Sequence, residues 1–288
     1  MNLSGDAGAN AMTGPRNPVL ETQFPSQLHA PATDISTQPF FWSSFNISPR
    51  RVQRGGWARE LTQSDFAISD EIAGVNMYLE PGGIRELHWH QTAEWSLMTR
   101  GGCRITTLSP QGLPSVEDVF EGDLWFFPAG LPHSLQGLGP SGAEFVLAFD
   151  DGEQSESNTL LLTDWFAHTP PDVLAKNFGV AREVFGDIPP LHNLWIFPSD
   201  VPGPLEQDQL DARVQWGGGT EPVIFRLSQS TPVHSNSGGS IRIADSTNFP
   251  ASKTSPPPSR SSSPARCASS TGIRTPTSGS TTSRARAA

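Results

Sequence analysis

From Trp57 onward the chain reads as short β-rich runs cut apart by Gly, Pro, Asp or Ser: IAGVNMYLE, EWSLMTRG, CRITTLS, DVFEGDLWFFP and AEFVLAFD. Several alternate with a period of two, the pattern of strands with one buried face. Their spacing of about 8–12 residues predicts a closed or sandwiched antiparallel fold. Composition agrees, because 27 Gly and 27 Pro in 288 residues exceed the usual share of roughly 12% and argue against a helical bundle. The expected class is all-β. Two short helices are predicted between Thr163 and Phe185, with Thr163 and Asp164 as cap and Pro170–Pro171 as the break. The stretch VPGPLEQDQL reads as a loop, and PVIFRLS and SIRIADSTNF as returning strands.

The net charge of −10 suggests neither a nucleic acid nor an anionic membrane as partner. No run of 18 apolar residues is present, and MNLSGDAGANAMTGPRNP lacks the basic start and apolar stretch of a secretory leader. A cytoplasmic chain is the expectation, or a secreted one if the natural N-terminus differs. Cys103 and Cys267, the two cysteines, form no disulfide framework. Residues 1–49 read as a partly disordered extension, 50–240 as the main domain with a helical and loop flank, and 255–288 as a disordered tail. That tail has no acidic residue and five Arg, while every Trp falls between Trp42 and Trp216.

The sharpest motif is PGGIRELHWHQTAEWSLMTRG. On a strand His88 and His90 project from one face, and Glu94 follows after a short turn. Imidazoles beside a carboxylate suit manganese, iron, nickel or zinc. By itself H-x-H also fits two ordinary strand histidines. A second block, EGDLWFFPAGLPHSL, supplies His133 behind the turn signals Gly122–Asp123 and Pro128–Ala129–Gly130. Arg85 and His88 have opposite parity, so both face inward only if the strand bulges, which is predicted near Glu86. A guanidinium there can grip a carboxylate bidentately; the bland alternative is a surface ion pair.

The spacing of Gly82, His88, His90, Glu94 and Gly101, followed by Gly122, Pro128, Gly130 and His133, resembles the cupin superfamily. That resemblance implies a double-stranded β-helix, a jelly-roll barrel holding one metal with three His and one Glu. The wording PGGIRELHWH, AEW, GDLWFFPAGLPH and LTDWFAHTP is similar to the N-terminal half of the bicupin oxalate decarboxylases over roughly residues 50–254. It implies conversion of oxalate to formate and carbon dioxide at manganese, with dioxygen as co-catalyst, in homotrimers or hexamers. It also implies His88, His90, Glu94 and His133 as metal ligands and Arg85 as the arginine that orients substrate. Gly137 stands where the general cupin pattern has Asn.

The family carries a lid whose Ser-Glu pair matches Ser155 and Glu156, with Glu156 as proton donor. Its usual Asn-Ser order is swapped here to Ser157–Asn158, which leaves decarboxylase and oxidase outcomes both open. The outcomes to separate are an oxalate decarboxylase, an oxalate oxidase on the same scaffold, and a non-catalytic metal-binding storage cupin. Carbon–carbon cleavage of oxalate requires removing an electron, which favours a redox-active ion. The aromatics of LHW and WFF (Trp89, Trp125, Phe126 and Phe127) are expected to wall the site and are given no catalytic role.

Residues 241–254 resemble the opening strand of a second cupin. The tail beyond them can be encoded so that a frame shifted by one base spells another H-x-H and Glu motif. The expectation is that residues 255–288 are a frameshifted reading of the second domain, leaving uncovered the surface it would occupy.

Overall fold

A computed structural model describes residues 18–23, 43–188, 196–217, 223–253, 271–275 and 284–285. Met1–Phe41 is a compact unit apart from Trp42–Ala288, and its described part is helix α1, Pro18–Gln23. Most of the expected N-terminal extension lies outside the described residues.

The larger unit is built on nine strands: β1 (Arg51–Gln53), β2 (Gly56–Leu61), β3 (Ala73–Leu79), β4 (Ile84–Trp89), β5 (Glu94–Leu108), β6 (Pro114–Phe120), β7 (Leu124–Phe127), β8 (His133–Gly137) and β9 (Ala143–Phe149). After them come β10 (Leu160–Leu161), α2 (Leu162–Ala167), α3 (Pro171–Phe178), β11 (Ile196–Phe197), α4 (Leu205–Trp216) and β12 (Ile224–Phe225). The main path of the antiparallel sheet is β1-β2-β3-β9-β5-β8-β4-β10, with β6, β7, β11 and β12 paired off it. It curls through 255° into a jelly-roll half-barrel, the all-β class that period two predicts. The long β5 makes the closure, pairing with β9 and β7 through its first half and with β8 and β6 through its second.

Alternation puts one side chain in two into the interior. Val75, Met77, Met98, Ile105, Leu135, Phe145 and Leu147 form the barrel core with Trp125 and Phe127. Even 25 cal/mol per Å² over these large side chains makes hydrophobic burial the main term holding the half-barrel shut. Two glycines are steric requirements of that closure. Gly82 has φ +80°, and an added Cβ would lie 2.0 Å from the Ser199 carbonyl oxygen. At Gly137 the added carbon would meet the Glu80 carbonyl oxygen at 2.3 Å. The backbones approach too closely there for the Asn of the general cupin pattern.

Two local expectations are corrected. Both helices near 163–185 form, but Leu161 is the N-cap of α2 and makes no side-chain cap bond; the Thr163 hydroxyl is instead spent on the buried Glu86 carboxylate. VPGPLEQDQL is not a loop, since α4 begins at Leu205. Pro204 precedes it, Glu206 and Asp208 favour its first turn, and Gly217 ends it in the left-handed conformation (φ +86°). Arg104 anchors it to β6 by donating to Asp118, Asp208 and the Gly203 carbonyl.

A second sheet runs β13 (His234–Asn236), β14 (Gly239–Ala244), β15 (Thr271–Thr275) and β16 (Arg284–Ala285). β15 pairs with β14 and β16 with β15. Residues 254–270 lie outside the described residues. Among the described residues no helix is long and apolar enough to cross a membrane.

Candidate metal centre

Four sequence-predicted side chains meet inside the barrel. His88 on β4 sits opposite His133 on β8, and Glu94 opens β5 opposite Phe127 and Phe149. His90 follows β4 with the same parity as His88. All four are buried, at 4% exposure or less. One nitrogen of each of the three imidazoles lies within 4.8 Å of the others. Glu94 completes the cluster, its Oε2 at 3.1 Å from His90 Nε2 and 3.8 Å from His133 Nε2.

The predicted bulge is present. Arg85 pairs with Leu135 while His88 pairs with His133, so three steps on β4 face two on β8. The extra residue reverses parity and turns Arg85 to the histidines' side. Glu86 at the bulge is itself buried, which raises its carboxyl pKa; Thr163's hydroxyl and the Arg85 charge oppose that rise.

The histidine tautomers follow from the hydrogen bonds. Each ring places Nδ1 against a backbone carbonyl two residues away, an oxygen that can only accept: His88 to Glu86 at 2.6 Å, His90 to Thr92 at 2.7 Å, His133 to Leu131 at 2.7 Å. Nδ1 therefore carries a proton in each ring, and in His88 and His133 Nε2 keeps its lone pair, the arrangement that orients metal-binding imidazoles. Burial holds His133 neutral, its pKa lowered to about 3 although the Glu94 charge pulls upward. His88 is driven well below its ordinary value by burial, then by the Arg85 charge. For Glu94, burial raises the pKa, but the bond from His90 and the neighbouring imidazoles prevail and hold it below the ordinary carboxylate value.

The fit to a cation is chemical. Three imidazoles and one carboxylate converge, and His133 Nε2 is buried with no hydrogen-bond partner in the protein. An orphaned lone pair of that kind is costly unless something binds it. Glu94's outer oxygen is pinned by the Ser96 hydroxyl at 2.7 Å and the Trp125 indole N–H at 2.9 Å, which leaves Oε2 facing the histidines.

Of the aromatics expected to wall the site, only alternate ones do. Trp125 and Phe127 face inward, Phe127 lying 4.1 Å from the His133 ring. Trp89 packs on Trp165, and Phe126 on Trp95, because their parity turns them to the other face of the sheet. Trp125, Ser96, Thr92 and Glu60 were missed as functional positions. Inward parity on β5 and β7 could have pointed to Ser96 and Trp125, but their pairing needs the register of the two strands.

Over the cluster lies the segment predicted as a lid. Glu156 sends Oε2 to Arg85 Nη2 at 2.7 Å, and its backbone N–H donates to Glu60 Oε2 at 3.0 Å. The other Glu60 oxygen pairs with Arg51. The swapped Ser157–Asn158 order has a local result. Asn158 Oδ1 accepts the Ser155 N–H at 2.9 Å and the Ser155 hydroxyl oxygen accepts the Ser157 N–H at 3.1 Å, closing a capping box around a 3-10 turn, Glu156–Asn158. Val75, Met77, Leu147 and Phe149 line the remaining space with Arg85 and Glu156. Its volume is small, about 10 Å³.

Residues 43–185 match the family described as Cupin. The chain is 46% identical over 252 residues to oxalate decarboxylase OxdC of Bacillus subtilis, covering 88% of this chain and 64% of that protein. It is 34% identical over 271 residues to an oxalate decarboxylase of Arthroderma benhamiae, covering 84% and 61%. A solved oxalate decarboxylase structure superposes with a TM-score of 0.77 at 42% identity, over 91% of this chain and 65% of that one. The Bacillus subtilis enzyme at pH 4.6 superposes with a TM-score of 0.75 at 45% identity, over 84% and 62%. The chain thus spans less than two thirds of the length of these relatives. Sequence, strand order and the buried histidine cluster agree, and residues 43–185 are a cupin domain homologous to part of a bicupin oxalate decarboxylase.

Proposed function

We propose that this chain is an oxalate decarboxylase-like metalloenzyme, converting oxalate to formate and carbon dioxide at a manganese site. The observation that carries the reading is the contact between Glu156 and Arg85 over the histidine cluster. It puts a carboxyl group and a guanidinium at the same cavity as the metal donors, which a storage cupin has no need to do.

His88, His90, His133 and Glu94 are the proposed ligands, with oxygen- and nitrogen-rich chemistry suited to manganese. When bound, the ion supplies a Lewis-acid and redox-active binding place for oxalate and dioxygen. Arg85 leaves Glu156 as the lid opens and takes one oxalate carboxylate bidentately. The apolar wall of Val75, Met77, Leu147 and Phe149 excludes water once the lid returns. Oxalate dianion plus one proton equals formate plus carbon dioxide. The carbon–carbon bond breaks, one carboxylate leaves as carbon dioxide, and the carbon left behind needs a proton. Glu156 delivers it from its carboxyl group, at the end of the cavity that Arg85 occupies.

Oxidation competes if that proton is not delivered: oxalate, dioxygen and two protons then give two carbon dioxide and hydrogen peroxide. The test measures formate and peroxide from oxalate under air with manganese-loaded protein. Formate as the main product is expected. Peroxide at near-stoichiometric yield would overturn the decarboxylase reading, and neither product with bound metal would favour the storage cupin.

A further inference from the structure

The Glu156–Asn158 turn lies over a small cavity, about 10 Å³, that Ser155, Glu156 and Thr159 help to line. Two of its attachments face outward or across the site, Arg85 to the Glu156 side chain and Glu60 to its backbone. The third comes from beneath. Gln154 is 4% exposed, and a buried amide is retained only where both of its ends are bonded. Its Oε1 lies 3.1 Å from the Thr92 hydroxyl; its Nε2 lies 3.0 Å from the Ser155 carbonyl and 3.4 Å from Thr159 Oγ1.

We propose that Gln154 is a positioning residue that couples the lid to the metal ligand His90. The inference rests on the histidine cluster being a metal centre and not on the reaction assigned to it. The proton directions determine the chain of bonds. His90 Nδ1–H is given to the Thr92 carbonyl, so Nδ1 cannot accept from the Thr92 hydroxyl 3.2 Å away. The hydroxyl therefore donates to Gln154 Oε1, which in turn forces Nε2 toward the lid. Ser155 and Thr159 flank the two ends of the Glu156–Asn158 turn, so one amide clips both ends. Its other end rests on the residue that orients His90. Swinging the turn outward strips Nε2 of its acceptors and frees the Thr92 side chain that packs against the ligand ring. Coupling of this kind is reciprocal, so metal binding must hold the lid shut as strongly as a shut lid steadies the metal.

The test uses the full chain with manganese(II) alone and no oxalate. A Glu-specific protease reports lid opening by cleavage after Glu153 and Glu156, and the electron paramagnetic resonance spectrum reports the ion. In the wild type, manganese should slow lid cleavage by about fivefold or more. Gln154→Leu should abolish that protection and alter the manganese spectrum, although position 154 is not a ligand. Thr92→Val, which lies outside the lid, should abolish the protection too and serves where Gln154→Leu fails to fold. Protection that survives in Thr92→Val would overturn the coupling and leave Gln154 a local brace. Binding without any protection in the wild type would also overturn it. Failure to bind manganese at all would overturn the metal reading and this inference with it.

Discussion

Acid should unfold the metal-free protein through its buried histidines, and His133 gives the size of the effect. Its pKa falls from an ordinary 6.5 to about 3 in the folded state, chiefly by burial. Between those values the unfolded chain takes up a proton that the folded chain refuses, so stability rises with pH across the window and is lost as pH falls through it. Lowering the pH from about 7 to about 5 removes roughly 2 kcal/mol on His133 alone. For a domain of this size that is a fall of about 4–8 °C in melting temperature. His88 shifts in the same direction and deepens the loss. The assay is thermal or urea unfolding of chelator-treated protein at several pH values, comparing wild type with His133→Gln. The variant should lose about one proton from the slope of stability against pH. Equal slopes would refute the argument, since they would mean that His133 titrates alike in both states.

Other consequences follow from the same geometry. Glu156→Gln removes the proposed proton donor and should lower formate production about 10²-fold or more, while calorimetry still detects bound manganese. Trp125→Phe deletes the indole N–H that pins Glu94; manganese affinity should weaken about 10–100-fold by direct titration. Gly137→Ala drives a methyl group against the Glu80 carbonyl oxygen and should destabilise the domain by about 1–3 kcal/mol in urea unfolding.

Much of the site was legible because strand parity is a local property. His88 and His90 share a face whatever the strand pairs with, and the opposite parity of Arg85 already required a bulge if it was to join them. The bulge lies where that logic put it, between Arg85 and His88. Parity applied more strictly would also have separated the aromatics, keeping Trp125 and Phe127 inward and sending Trp89 and Phe126 out. What could not be read were pairings between distant segments. Thr163 looked like a helix cap because its neighbours in sequence form a helix; its partner, Glu86, is 77 positions away. The stretch that opens α4 looked like a loop because its two prolines stand out, although Pro204 is suited to the start of a helix.

The amino-acid sequence by itself determined the strand-rich class, the inward histidines and the arginine that joins them, since each depends on spacing along one segment. Only the tertiary structure decided the tautomers, the pinning of Glu94 by Trp125 and Ser96, and the path from His90 through Thr92 and Gln154 to the lid. Those depend on carbonyls, hydroxyls and an amide that folding brings within about 3 Å of one another, and hydrogen bonds act only at that range.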